Sequence, residues 1–275
     1  MQTIVILGGG FCGTITAVNL ARFSESPLKV VVVNRGFPAG RGIAYSTRRP
    51  EHLLNVAARN MSALADAPNH FLDWLRTRTE YVDVPDAALR ETFVPRRVYG
   101  DYLRSLLFTW SRPGDNRPRV QIGSVDGLAV DVLPRGDGAT VVLEDGQRLE
   151  ADKVLLATGN QPPAPLPSAA AAFRHPRYCD NPWQDWERRL PENNQPIVLL
   201  GTGPTMGDAF LTLSALGWQG TIFAVSRNGL LPQSHFRGIE YPAFPPAEPE
   251  TLGLVALERL VEEHCARLRE LGANP

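Results

Sequence analysis

Two glycine-rich turns constrain the fold of this chain more than any other feature of its sequence. One turn spans residues 8–13 and the other spans residues 201–207, and each follows a short apolar run and opens a helical pattern. A helix N-terminus carries free N–H groups and a partial positive charge, and glycine lets the backbone come close to a pyrophosphate. Strand, glycine turn and helix in this order are typical of a dinucleotide site. The sequence therefore predicts two dinucleotide-binding units in one chain.

The turn residues are the candidate ligands of the two pyrophosphates. They are Gly8, Gly10, Phe11, Cys12 and Gly13 in the first turn, and Gly201, Gly203, Thr205 and Gly207 in the second. Met206 stands where a third glycine is usual, which gives the second turn a spacing common in NADP-binding units. We expect Cys12 to be buried against the cofactor rather than to act in redox chemistry. The alternative for both turns is a packed glycine turn without a ligand.

The residue after the second strand of each unit bears on which dinucleotide binds. A β-branched apolar run at residues 28–33 predicts a buried parallel strand, and it ends at Asn34, where an acid usually contacts the adenosine ribose. The amide of Asn34 can still accept one hydroxyl proton and donate in return. In the second unit, Arg227 follows a predicted strand at residues 221–225 and could grip the 2′-phosphate of NADPH. We therefore expect NADPH rather than NADH, and the alternative is an exposed surface arginine.

The remaining segments complete an α/β pattern. A long connection at residues 36–69, rich in glycine, proline, arginine and asparagine, predicts a functional loop. Helices are predicted at about residues 69–79, 97–110, 205–216 and 249–271. Strands are predicted at residues 119–122, 127–133, 139–143, 148–150 and 153–156. The turns between the first four of these strands indicate an inserted β-meander at about residues 124–150, and the last run predicts a buried strand.

The predicted fold class is α/β, with two Rossmann-like units, each doubly wound and three-layered, and the inserted β-meander. A proline-rich stretch at residues 162–196 breaks the regular pattern. We therefore predict a first dinucleotide-binding domain at residues 1–165 and a second at residues 166–275.

The order of these features resembles that of the two-dinucleotide-binding flavoproteins, in which a Rossmann-type FAD domain is interrupted by an NAD(P)H domain of the same type. Residues 157–159, Ala-Thr-Gly, look like the strand-end mark of that superfamily where the backbone passes FAD. Four further motifs resemble bacterial FAD/NAD(P)-binding proteins, which are similar to flavin N-hydroxylases and other class B monooxygenases. These motifs lie at residues 40–45, 52–56, 93–103 and 226–232.

The resemblance implies which residues would hold each cofactor. The first turn would hold the FAD pyrophosphate, and the second turn would hold that of NAD(P)H. The implied FAD-binding residues outside the first turn are Asn34, Arg35, Arg41, Asn55, Val56, Arg96, Tyr99, Thr158 and Gly159. For Asn55, Arg96 and Tyr99 the alternative is loop scaffolding and helix capping, and for Arg35 it is a solvated side chain.

The resemblance also implies a segment that this sequence does not show. Such proteins return to the FAD domain after the NAD(P)H domain, usually with a Gly-Asp mark at a strand end. Nothing after Arg227 resembles that segment. We therefore expect the chain to lack the C-terminal part of both domains, the second domain to be incomplete, and FAD binding to be weakened in consequence.

Composition excludes several other classes of function. The formal net charge is −1 and the charges are mixed along the chain, so the sequence predicts no nucleic-acid partner. No apolar run approaches the roughly 20 residues of a membrane span, and the first strand begins near Thr3, so we expect a cytoplasmic protein without membrane contact. The three cysteines form no C-x-x-C pair and the five histidines show no ligand spacing, so no metal site or disulfide reductase is predicted.

These observations predict an FAD-dependent oxidoreductase in which NADPH reduces FAD by hydride transfer. Oxygen activation, as in a monooxygenase, or electron transfer to a small-molecule acceptor would follow, and the sequence does not choose between them. No catalytic side chain is identified, because the cofactor supplies the chemistry of this half-reaction. The alternative is a non-catalytic dinucleotide-binding protein or a truncated remnant, and the oligomeric state is left open.

Overall fold

The structure is a computed structural model that describes residues 1–36, 39–112, 119–160, 164, 175–183, 185–232, 244–246 and 248–271. The chain divides into two compact units, residues 1–232 and residues 233–275. The domain boundary predicted between residues 165 and 166 lies outside the described residues, so it stays a prediction.

The first compact unit contains both strands and helices. Its strands are β1 (Gln2–Leu7), β2 (Leu28–Asn34), β3 (Val120–Asp126), β4 (Ala129–Arg135), β5 (Gly138–Leu143), β6 (Arg148–Ala151), β7 (Lys153–Leu156), β8 (Ile197–Leu200) and β9 (Ile222–Val225). Its α-helices are α1 (Phe11–Phe23), α2 (Gly42–Tyr45), α3 (His70–Arg76), α4 (Asp86–Glu91), α5 (Arg96–Ser111) and α6 (Pro204–Ala215). Short 3₁₀ helices lie at Ala58–Asn60 and Trp186–Arg189.

A parallel sheet in the order β3-β2-β1-β7 forms the middle of three layers. On one face, alternate residues of β1 and β2, such as Ile6 and Val32, pack with Ala17 of α1. On the other face, Val5 and Leu7 pack against the antiparallel sheet β4-β5-β6. Because successive side chains of a strand point to opposite faces, the continuous apolar runs of β1 and β2 supply both cores. The predicted α/β fold with an inserted meander is confirmed.

Two strands differ from the sequence prediction. The strand predicted at residues 119–122 belongs to the parallel sheet as β3, where it pairs with β2, and the meander begins only at Ala129. The apolar run of β7 was expected to be buried, but Leu156 is 72% exposed. Among the described residues β7 pairs only with β1, so it lies at an edge of the sheet and one side of it is not covered.

Strands β8 and β9 form a separate parallel pair that flanks α6. The pair has the same register as β1 and β2. The N–H of Gly8 bonds the carbonyl of Val33 and the N–H of Gly201 bonds that of Val225, both at 2.8 Å. By this register Arg227 corresponds to Arg35. Val198, Leu200, Phe223 and Val225 are each more than half exposed, whereas the meander buries the corresponding face of the first sheet.

An aromatic cluster anchors helices α3 and α5 beside the first sheet. The ring of Phe71 lies 5.1 Å from that of Tyr99 and 4.9 Å from that of Tyr102, and all three side chains are buried. These rings fix α5, which begins with the candidate residue Arg96. The cluster therefore holds one side of the candidate site in place.

Replacing Phe71 with alanine is expected to lower the free energy of unfolding by about 3–5 kcal/mol, because it leaves a cavity among rings that cannot fully collapse. Chemical denaturation monitored by circular dichroism measures the change. Phe108→Ala on α5 is the control, since this ring is more than half exposed and its loss should cost no more than about 1 kcal/mol. Equal losses in the two variants would contradict the cluster's role as a core.

In the second compact unit, the predicted final helix is present as α7 (Leu254–Glu270), preceded by a 3₁₀ turn at Pro249–Thr251. The rings of Phe244 and His264 stack there with centroids 4.1 Å apart. Within the described ranges, no helix combines the length and the apolar character that a membrane crossing requires.

Candidate dinucleotide-binding site

Gly8 and Gly13 of the first turn are required by packing. Gly8 has a φ of +112°, and a Cβ there would lie 2.2 Å from the carbonyl oxygen of Ala157. A Cβ at Gly13 would lie 1.8 Å from the carbonyl oxygen of Gly8. These glycines close the turn and let α1 approach the strands, as expected of a dinucleotide fingerprint.

Gly10 is different, because a side chain there would not clash with the protein. It is the N-cap of α1, no side chain caps the helix, and the nearest atom to a Cβ would be the Cα of Gly42 at 3.6 Å. The first intrahelical hydrogen bond runs from the N–H of Thr14 to the carbonyl of Gly10. The N–H groups of Phe11, Cys12 and Gly13 therefore have no acceptor within the helix. Open N–H groups at an uncapped helix start fit a pyrophosphate.

The strand ends beside this turn are held by protein contacts. Asn34 accepts a hydrogen bond from the N–H of Gly9 at 2.9 Å, so its amide oxygen fixes the turn. Arg35 forms an ion pair with Glu144 at 2.6 Å, and both side chains are more than half exposed. Thr158 and Gly159 follow Ala157, the first residue after β7, and the N–H of Ala157 bonds the carbonyl of Leu7. The structure therefore brings Thr158 to the same turn as Gly8.

Arg41 also lies at this turn. The N–H of Gly40 bonds the carbonyl of Gly9 at 2.8 Å, which holds the segment that begins there over the turn. The Arg41 guanidinium forms an ion pair with Asp101, while its Nε is buried without a hydrogen-bond partner among the described residues. A buried donor without a partner is costly, so this atom fits a role toward a bound acceptor. Cys12, in the first turn of α1, is exposed. Its burial against a cofactor stays a prediction.

Three residues expected near the flavin are engaged within the protein. Arg96 donates from Nε to the carbonyl of Leu53 at 2.9 Å, from Nη2 to Oδ1 of Asn55 at 3.0 Å, and from Nη1 to Oδ2 of Asp208 at 2.7 Å. Tyr99 is 2% exposed, and burial raises the pKa of its hydroxyl, so this side chain stays neutral. Val56, by contrast, is partly exposed on the same loop as Asn55. The expected flavin contacts of these residues stay predictions.

The second turn presents fewer backbone donors than the first. Gly203 is the N-cap of α6, again without a side-chain cap, but Pro204 at the first position has no N–H. The N–H of Met206 already bonds the carbonyl of Gly203 at 2.9 Å, which leaves the N–H of Thr205. A Cβ at Gly201, Gly203 or Gly207 would meet nothing within 4 Å. This turn is therefore open, but it presents fewer N–H donors to an anion than the first turn does.

Arg227 follows β9 and is exposed. Within the part of the chain that the structure describes, its guanidinium has no hydrogen bond or ion pair. Arg35, at the corresponding position of the first unit, is paired with Glu144 instead. The second dinucleotide-binding unit therefore has an available cation where the adenosine end of a dinucleotide is expected.

Asp208, Thr212 and His52 are site residues that the sequence analysis missed. The Nε2 of His52 lies 2.8 Å from Oγ1 of Thr212, and its Nδ1 lies 2.8 Å from Oγ1 of Thr47. Asp208 and Thr212 are four residues apart on α6, so they share one face of the helix. No local pattern indicates a partner 112 or 160 positions away in the sequence, so only the fold reveals these contacts.

A cavity of about 740 Å³ adjoins the same face of α6. Its walls include Trp183 and Trp186, Arg48 on the loop after α2, and Thr205 and Asp208 on α6. The volume lies within the range of small-molecule sites. No group of His, Cys, Asp and Glu side chains in the described ranges has an arrangement that could hold a metal ion.

Comparisons with known proteins give the fold and the family of this chain. Among solved structures, lysine monooxygenase NbtG from Nocardia farcinica has a TM-score of 0.54 at 19% identity, over 82% of this chain and 59% of that one. The reduced form of ornithine hydroxylase PvdA from Pseudomonas aeruginosa has a TM-score of 0.56 at 15% identity, over 82% of this chain and 54% of that one. No curated protein matches the chain.

At these identities the structural likeness is one of fold. This chain spans little more than half the length of the two solved proteins. A family model described as FAD-NAD(P)-binding matches residues 5–161, which is more than half of the chain and includes the whole first turn. The resemblance stated from the sequence motifs is therefore confirmed, and the chain belongs to the FAD-NAD(P)-binding family.

Proposed function

We propose that this protein is an oxidoreductase in which NADPH, bound at the second turn, reduces FAD bound at the first. One observation carries the proposal: two strand-turn-helix sites with the same backbone hydrogen bond, from Gly8 to Val33 and from Gly201 to Val225, lie in one compact unit. Both helices that follow are uncapped. A chain that only stored one dinucleotide would need one such site.

The residues of the chain have three tasks in this reaction. The turns bind the two pyrophosphates, the Arg227 guanidinium selects the 2′-phosphate of NADPH, and the buried aromatic cluster of α3 and α5 holds one side of the site in place. Bound flavin supplies the hydride acceptor. No side chain has to donate or remove a proton in this half-reaction, so its rate depends on distance and orientation.

The cavity beside α6 is the proposed site of the small-molecule substrate or electron acceptor. It reaches Thr205, the residue whose N–H faces the proposed pyrophosphate position of NADPH. Trp183 and Trp186 offer flat apolar surfaces, and Arg48, which pairs with no described residue, offers a charge that is still available. A molecule bound there would lie next to the nicotinamide cofactor.

The visible absorption spectrum of the purified chain tests the proposal, before and after NADPH is added without oxygen. We expect a flavin spectrum, either as purified or after addition of FAD, that bleaches with NADPH. A flavin spectrum that does not bleach would contradict hydride transfer. A colourless protein that takes up no FAD would contradict the first site itself.

A non-catalytic dinucleotide-binding protein is the second candidate, and the second turn favours it. Pro204 and the Met206–Gly203 hydrogen bond leave few N–H groups to bind a pyrophosphate there. Calorimetric titration with FAD and NADPH separates the two functions. Binding of FAD with weak or no binding of NADPH, or binding of both dinucleotides without electron transfer, would support the second candidate.

A further inference from the structure

We propose that Arg96 and His52 are positioning residues that hold α6, and with it the second turn, in a fixed orientation to the first turn. The proposal rests on the proposed function, since orientation matters only if a hydride passes between two bound cofactors. The contacts themselves are a property of the protein and can be tested without turnover.

The Arg96–Asp208 pair is the first of two contacts that fix α6. The two side chains are only 10% and 14% exposed, and Nη1 lies 2.7 Å from Oδ2. Arg96 is held in turn by Leu53 and Asn55, so its guanidinium cannot follow Asp208 if α6 moves. A buried charge pair with a fixed geometry has one favourable arrangement, unlike an exposed pair that solvent screens.

The His52–Thr212 contact lies one helical turn further along α6. Thr212 is fully buried, and both ring nitrogens of His52 are engaged, one with Thr212 and the other with Thr47. Two anchor points on one face of a helix prevent both sliding and rotation about either point. Together Asp208 and Thr212 therefore fix the axis of α6.

Fixing α6 also fixes the second turn, because the helix begins at Pro204, directly after Gly203. Asp208 is four residues from that start, so a shift at Asp208 is passed to the turn almost undiminished. Hydride transfer needs reacting atoms about 3–3.5 Å apart, and a misplacement of about 1 Å can cost about 100-fold in rate. The two contacts thus set the rate of transfer rather than the affinity for NADPH.

The test uses two nearly isosteric variants, Asp208→Asn and Thr212→Val, with Ser214→Ala as the control. Ser214 lies on α6 but is exposed, and its side chain has no hydrogen bond among the described residues. Each test variant should lower the rate of flavin reduction at saturating NADPH by at least about tenfold, while the Kd for NADPH changes by less than about threefold. The control should leave both quantities unchanged.

Hydrogen exchange measured by mass spectrometry gives a readout that does not depend on turnover. Both test variants should exchange faster in α6 and in residues 47–55 together, with no change in α1. If the wild-type chain reduces no flavin but the exchange changes appear, the proposed function fails and the anchoring role stands. If Thr212→Val and Asp208→Asn match Ser214→Ala in exchange and in rate, the positioning role is wrong.

Discussion

Replacing Gly10 with alanine is expected to weaken FAD binding by at least about tenfold while the fold persists. The backbone at Gly10 has a φ of −76°, which any residue adopts, and an added Cβ would make an ordinary contact with the Cα of Gly42 at 3.6 Å. That Cβ would occupy the space through which the turn approaches a pyrophosphate, and a factor of ten corresponds to about 1.4 kcal/mol. Quenching of FAD fluorescence on titration with the apoprotein measures the loss.

Gly8→Ala is the contrasting variant. Its Cβ would lie 2.2 Å from the carbonyl oxygen of Ala157 at a φ of +112°, so both the turn and the end of β7 must move. We expect this variant to lose more than about 3 kcal/mol of stability, because backbone strain and a backbone clash add. Thermal unfolding of the apoprotein measures it, and Gly10→Ala should lose no more than about 1 kcal/mol in the same experiment.

The two variants separate ligand binding from packing. If Gly10→Ala bound FAD as tightly as the wild type, the first turn would be the packed glycine turn without a ligand. If both variants unfolded alike, the clash at Gly8 and its absence at Gly10 would not decide stability. Only a stable protein with weakened FAD binding fits the site described for this turn.

The first turn could be predicted from the sequence because its signals are local. The strand, the three glycines and the helix lie within a few residues of one another, and steric demands at Gly8 and Gly13 do not depend on distant parts of the chain. Asn34 shows the limit of local reasoning. Its position at the end of β2 was predicted, but its bond to Gly9 follows from how the turn folds back over the strand end.

Contacts between elements that are distant in sequence could not be predicted in the same way. Arg96 was expected near the flavin because of a motif, yet its partner Asp208 carries no signal in sequence. The apolar run of β7 was expected to be buried because such runs usually are, but burial requires a layer over each face of the sheet, and β7 is an edge strand that pairs only with β1 among the described residues. Pairing of distant segments decides both outcomes, and one sequence does not encode it in any local pattern.

The register shared by the two units gives the candidate NADPH site an internal control. Arg35 and Arg227 occupy the same position after the second strand of their units, since Gly8 and Gly201 bond the equivalent carbonyls of Val33 and Val225. The two arginines differ in one respect. Arg35 is paired with Glu144, while Arg227 has no partner among the described residues. A difference in nucleotide binding between variants of the two arginines therefore tests whether a guanidinium must be unpaired to bind the 2′-phosphate.

Replacing Arg227 with glutamine is expected to raise the Kd for NADPH about 10- to 100-fold and to leave the Kd for NADH within about twofold. A charge-assisted hydrogen bond to the 2′-phosphate contributes about 1.5–3 kcal/mol, and NADH has no such phosphate to lose. Equilibrium titration followed by nicotinamide fluorescence measures both constants, and the effect should shrink at high salt because the side chain is exposed.

Arg35→Gln is the matched control for that variant. The same charge is removed at the same register position, but the exposed pair with Glu144 contributes at most about 1 kcal/mol and lies at the first turn. We expect it to leave the preference between NADPH and NADH unchanged. If Arg227→Gln weakened both nucleotides equally, or neither, Arg227 would be an ordinary surface arginine, and the selection of NADPH would require another cation. A loss confined to NADPH, absent from the control, would establish that this one guanidinium distinguishes the two nucleotides.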